Sequence, residues 1–146
     1  MTGQPEQPTR DDYAWFCEVP TRWMDNDVYG HVNNVTYYSY FDTAANRFLI
    51  EVGGLDIHDD QVAGFVVASN CRYREPIAFP ETLDIGLRVD RLGTRSVTYG
   101  LAVFKSGTPL ASADGEFVHV FVDRANGRST AIPDKLASAL AGLQRA

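Results

Sequence analysis

Cysteine is scarce: Cys17 and Cys71 are the only two in 146 residues. Neither sits in a CxxC pair or at a zinc-like spacing, so metal motifs and a disulfide framework are both set aside. Each reads as a reduced thiol packed among apolar neighbours. No apolar run approaches the ~18 residues of a membrane span, and the opening MTGQPEQPTRDD lacks the apolar core of a signal peptide. A cytoplasmic chain without membrane contact is expected. Positive charge is also short, with 13 Lys and Arg against 19 Asp and Glu, a formal net charge of −6. That argues against nucleic acid as a partner, which needs a basic face to neutralise phosphates. It leaves room for a few arginines holding one phosphorylated ligand. Internal repeats and linkers are missing too, and the length suits one domain with a core that needs no staple.

The elements follow from periodicity. Residues 1–12 are polar and read as a flexible N-terminal tail, followed by a single domain over 13–146. Tyr13 to Met24 is rich in aromatic and β-branched residues and reads as a strand, with Pro20 placing it at an edge or bulge. From Asn34 to Val52 there is no proline or glycine. Tyr37, Tyr38, Phe41, Ala44, Ala45, Phe48, Leu49 and Val52 recur every three or four positions, which predicts an amphipathic helix. Asn33 is its expected N-cap and Gly53-Gly54 its stop. Strands are expected at Gly64–Tyr73, around Leu83–Val89, at Val97–Lys105 and at Phe117–Val122. A short helix should follow Pro133, carrying Leu136, Leu140 and Leu143. One internal helix among successive strands predicts an α+β fold, an antiparallel sheet wrapped around a long central helix.

The chemistry concentrates in DNDVYGHVNN, residues 25–34, where a strand gives way to the helix. Within RWMDNDVYGHVNNVTYYSYFDTA, Arg22, Asp25, Asp27, Gly30, His31, Val32, Asn33, Asn34, Tyr37 and Tyr40 fall in an ordered string. This string resembles the signature of hotdog-fold acyl-CoA thioesterases of the 4-hydroxybenzoyl-CoA thioesterase type. The resemblance implies a five- or six-stranded antiparallel sheet wrapped around one long central helix, plus a short C-terminal helix. It implies hydrolysis of an acyl-CoA to free acid and coenzyme A, with no cofactor because coenzyme A belongs to the substrate. It also implies a homo-oligomer, dimer or dimer of dimers, paired through a sheet edge with active sites between subunits. FVHVFV at 117–122, apolar on both faces, independently favours burial of both sides of the sheet.

Thioester hydrolysis needs an attacking group and positive potential at the carbonyl oxygen. A helix N-terminus supplies the second through unbonded N–H groups and the macrodipole. The resemblance gives Asn34 that role through its backbone N–H, and gives Asp27 the role of nucleophile or general base. Gly30 is the turn between them. His31 looks like a positioning residue bonded to backbone near the loop. Asp25 reads as a support for the turn or a partner of Arg22. Asn33 is cap first and substrate contact second, and Tyr37 and Tyr40 could line the acyl pocket. Glu75 and Glu81 invite comparison with a second hotdog branch. That branch carries its glutamate on the helix, where this chain has only Asp42 and Glu51, so Asp27 is preferred. Arg88, Arg91, Arg95 and Lys105 are expected to cluster at one hairpin, with Arg95 and Ser96 as the phosphate-binding pair. An acyl-carrier-protein thioesterase and a non-catalytic acyl-CoA-binding protein are the competing readings.

Overall fold

The computed structural model describes residues 6–144. In chain order the elements are β1 (Trp15–Pro20), α1 (Thr36–Glu51), β2 (Val62–Tyr73), β3 (Thr82–Leu92), β4 (Ser96–Lys105), β5 (Ala113–Asp123) and α2 (Asp134–Ala141). The strands form one sheet in the order β1-β3-β4-β5-β2, every neighbouring pair antiparallel. This is the expected hotdog arrangement, with five strands.

Periodicity explains how the layers meet. On α1, Phe41, Ala44, Ala45, Phe48 and Leu49 are buried, and the two alanines let the helix approach the sheet closely. Leu83, Ile85, Leu87 and Val89 point from β3 into the same core, as alternation along a half-buried strand requires. Trp15 meets Phe48 edge-on at 5.3 Å, and Phe41 meets Phe117 at 5.9 Å, fastening the helix at two levels. The helix begins at Thr36 rather than Asn34 because its first turn is tight: Thr36 N–H donates to the Asn33 carbonyl, three residues back. Its end matches the Gly53-Gly54 stop, with Gly54 at φ +75°. Val52, expected on the apolar stripe, is 53% exposed, whereas Tyr40 is buried.

The expectation of a flexible tail is corrected for residues 6–12; residues 1–5 lie outside the described residues. Arg10 donates from Nη1 to Asp84 Oδ2 at 2.9 Å, from Nε to Thr108 O at 2.6 Å and from Nη2 to Lys105 O at 3.1 Å. Its guanidinium lies 4.9 Å over the Phe104 ring. Tyr13, Ala102, Phe104 and Ala111 form a second, smaller cluster on the outer face, with Phe16 against it. Gly86 makes room, since a Cβ there would lie 2.9 Å from the Tyr13 ring. Sequence composition had no way to show that one arginine could find three acceptors more than seventy residues away.

β5 carries a buried histidine. His119 is fully buried, its Nδ1 is 3.0 Å from the Tyr99 hydroxyl, and Nε2 has no partner among the described residues. Burial depresses its pKa from 6.5 to about 4. The unfolded chain therefore binds the proton more readily, and the neutral imidazole's contribution is complete above pH 6.5 and lost as pH falls through 4. Thermal denaturation should show a loss of about 3 kcal/mol from this group between pH 7 and 4. In His119→Phe that slope should flatten, and an unchanged slope would reassign the acid sensitivity elsewhere.

Candidate active site

The decapeptide after β1 is built around Asp25, which is 2% exposed. Its Oδ2 accepts from Arg22 N–H at 2.9 Å and the Tyr40 hydroxyl at 2.8 Å, and its Oδ1 accepts from Arg22 Nε at 3.2 Å. Arg22 Nη2 stands 3.0 Å from the same Oδ1. Burial alone would raise the Asp25 pKa, but the bonds from Arg22 N–H, Tyr40 and the Arg22 side chain outweigh it and leave it below the usual carboxylate value. Both oxygens are thus committed to structure, as the turn-support reading expects. Tyr40 points to this carboxylate, so its hydroxyl belongs to the loop anchor.

The backbone then folds back on itself. Asp27 N–H donates to His31 O at 2.9 Å, Gly30 N–H to Asp27 O at 3.1 Å, and Asn33 N–H to Asp25 O at 2.9 Å. Gly30 has φ +87°, a conformation side-chain-bearing residues rarely adopt, which explains a glycine at this turn. Asp27 is half-buried; its Oδ1 accepts from Tyr29 N–H at 2.9 Å, and its Oδ2 has no hydrogen-bond partner among the described residues. Unlike Asp25, it keeps one oxygen available.

The start of α1 is held on both sides of Asn34. The expected N-cap at Asn33 is corrected: Val35 stands at that position without a side-chain cap, and Asn33 instead closes a turn ahead of it, its Oδ1 accepting from Val35 N–H at 3.1 Å. The Asn34 carbonyl accepts from the Tyr73 hydroxyl at 3.0 Å, from the far end of β2. Asn34 N–H donates no hydrogen bond among the described residues. A cavity of about 320 Å³ lies here, lined by His31, Asn34, Tyr37, Tyr73 and Glu75 with a largely apolar surface. Asp27, Gly30 and Asn33 line a separate, open depression on the other side of the turn, beside Trp23 and Tyr29.

The predicted residues therefore fall into three groups. His31, Asn34 and Tyr37 share a cavity; Asp27, Gly30 and Asn33 line the separate depression; Arg95 and Ser96 are remote. Ser96 opens β4 opposite Val120, while the Tyr73 end of β2 pairs with Ala113, which lies opposite Val103. Seven residues of strand separate Ser96 from Val103, roughly 23 Å at about 3.3 Å per residue. The expected basic cluster is also corrected. Arg88 is bound to Asp90 at 2.7 Å and lies 4.8 Å over Tyr13, and Lys105 sits at the base of the hairpin opposite Leu83. Arg95 donates from Nη1 to Ser129 O at 2.6 Å. His31 is exposed, and its imidazole makes no hydrogen bond to backbone among the described residues, which corrects the expected bonding. Glu75, which the sequence set beside Glu81 as a comparison and ranked behind Asp27, is the carboxylate that lines this cavity. Its signal was an acid just beyond a strand end, before Pro76, but only the sheet register places that strand end against the helix terminus. Among the described residues no group of three His, Cys, Asp or Glu side chains could hold a metal ion, and no helix is long and apolar enough to cross a membrane.

Residues 19–140 match the thioesterase-like superfamily, a span that takes in the whole loop and cavity. The chain belongs to that superfamily. Among solved structures, this thioesterase-like chain is similar to the PA5185 protein from Pseudomonas aeruginosa strain PAO1. They share 56% identity over 95% of this chain and 97% of that one, with a TM-score of 0.94. Its fold is also that of the BH1999 gentisyl-coenzyme A thioesterase, at 22% identity, 86% and 99% coverage and a TM-score of 0.76. The 1,4-dihydroxy-2-naphthoyl-CoA thioesterase from Synechocystis shares the fold at 14% identity, 86% and 94% coverage and a TM-score of 0.77.

Proposed function

We propose that this chain hydrolyses acyl-CoA thioesters to the free acid and coenzyme A. The observation that carries the reading is the unbonded Asn34 N–H at the start of α1, in a mostly apolar cavity next to a turn bearing a half-free carboxylate. The thioester carbonyl accepts from Asn34 N–H, where the helix terminus stabilises the developing oxyanion. Asp27 Oδ2 either adds to the carbonyl carbon, expelling the coenzyme A thiolate and leaving an acyl–Asp27 anhydride that water then opens, or takes a proton from the water that adds directly. In both routes the carbon–sulfur bond breaks and the second proton of that water leaves with the thiol. Tyr37 and the apolar cavity wall receive the acyl group. The two thioesterases whose fold this chain shares act, by their names, on aryl-CoA substrates, which supports the substrate class.

The cavity is completed by a second copy in this reading. β2 is an edge strand with Phe65, Val66 and Val67 exposed, an unusual amount of apolar surface for a free edge. Antiparallel pairing of two β2 edges brings the Val62 end of one beside the Tyr73 end of the other. Val62 lies opposite Asp123, near the Ser96–Val120 pair, so the second copy supplies Arg95 and Ser96 to a site they cannot reach in their own chain. Charge reversal in Arg95→Glu should raise KM for acyl-CoA about tenfold with little change in kcat, and the effect should vanish with 3′-dephospho-CoA esters. A monomeric mass by light scattering would remove the basis for this handle.

Thiol release from a panel of aliphatic and aryl acyl-CoAs, read with a colorimetric thiol reagent, tests the proposal. Turnover confined to acyl-carrier-protein thioesters would reassign the substrate. Tight acyl-CoA binding without thiol release would make the chain a binding protein.

A further inference from the structure

At the site the Tyr73 hydroxyl, at the end of β2, donates to the Asn34 carbonyl just ahead of α1 at 3.0 Å. The peptide unit between Asn34 and Val35 is held at both ends: its oxygen accepts from Tyr73 at 3.0 Å and, at a longer 3.4 Å, from Tyr37 N–H, and its own N–H donates to Asn33 Oδ1 at 3.1 Å. The preceding unit, which carries the free Asn34 N–H, is held at its own oxygen by Thr36 N–H at 2.9 Å. Turning that N–H away from its present direction requires breaking at least one of these bonds. The Tyr73 ring is itself fixed, lying edge-on to Tyr37 with centroids 5.0 Å apart. A phenol hydroxyl keeps its proton at neutral pH and so remains a donor.

We infer that Tyr73 is a positioning residue of this site: its hydroxyl, reaching from the sheet edge to the first turn of the helix, keeps the Asn34 N–H oriented for the substrate carbonyl. The inference rests on the thioesterase reading for its effect on rate, though the clamp itself does not. A preorganised donor works because nothing has to reorganise when charge develops. Loosening it acts on the transition state more than on ground-state binding, so the change belongs in kcat.

Tyr73→Phe removes only the oxygen and keeps the ring against Tyr37. With an acyl-CoA that the wild-type chain cleaves, kcat should fall about tenfold while KM stays within about twofold. In ¹H–¹⁵N spectra of the intact protein, the Asn34 and Val35 amide peaks should move, while amides in β3 stay in place. Tyr73→Leu, which also loses the ring contact, should lower the melting temperature further without a proportionate further fall in kcat. Wild-type kcat in Tyr73→Phe overturns the inference, as do unmoved Asn34 and Val35 peaks. If only Tyr73→Leu impairs turnover, the residue is a packing element and the inference fails. Should the wild-type chain cleave no acyl-CoA, the thioesterase reading fails separately, and the amide peaks still decide whether the clamp exists.

Discussion

Asp27→Asn should lower kcat for acyl-CoA hydrolysis by at least about 100-fold, the lower end for losing a positioned base or nucleophile. The substitution is nearly isosteric and leaves Oδ1 able to accept from Tyr29 N–H, the contact that shapes the turn. Loss of activity with an unchanged melting temperature would then belong to chemistry and not to folding. The matching change Asp25→Asn should act in the opposite way. Asp25 is bonded at both oxygens and buried, so its neutral form weakens Arg22 and Tyr40 and lowers stability first. Near-wild-type turnover in Asp27→Asn would move the attacking group to the cavity that holds Asn34, where His31 and Glu75 are the remaining candidates. A single turnover in ¹⁸O-labelled water tests direct attack: label in the Asp27 carboxylate requires an acyl–Asp27 anhydride opened by water at the aspartyl carbon, which base catalysis never forms.

Asn34→Pro should reduce kcat by about 10²–10³, the range for deleting one oxyanion donor. Proline removes one backbone N–H, and this N–H bonds to nothing else among the described residues, so no internal hydrogen bond is lost with it. Proline is also well accommodated in the first turn of a helix. Circular dichroism and the melting temperature report whether Asn33, now preceding a proline, keeps its conformation. Asn34→Ala retains the N–H and should lose far less activity. Equal losses in both variants would assign the role to the Asn34 side chain and defeat the backbone proposal.

Much of this molecule was legible because its signals are local. The spacing of Phe41, Ala44, Ala45, Phe48 and Leu49 needs only the helical repeat, and the alternation of Leu83, Ile85, Leu87 and Val89 needs only the pleat. The turn that Asn33 makes with Val35 is likewise a matter of two residues, though it falls ahead of the helix and does not cap it. What was missed depends on register between distant segments. Arg88, Arg95 and Lys105 are close in sequence terms but sit at different places along one hairpin, Arg88 bound to Asp90, Arg95 to Ser129, and Lys105 at the far end opposite Leu83. Tyr40 looked like a pocket residue because it lies one turn from Tyr37, yet its hydroxyl is drawn to a carboxylate fifteen positions earlier. Glu75 and Tyr73 reach the helix terminus only because β2 ends there, which no window of sequence encodes.

The N-terminal segment across the outer sheet face bears on how copies of this chain can stack. Arg10, Tyr13 and Phe16 already occupy the surface over Ala102 and Phe104, so sheets cannot press together there without displacing them. The unoccupied part of that face lies toward the other margin, where Phe65 stands opposite half-buried Val120. A copy docking on this face would find its free apolar surface at that margin. A shortened chain lacking the first twelve residues would uncover the Phe16 and Phe104 rings that Arg10 covers and should adhere indiscriminately.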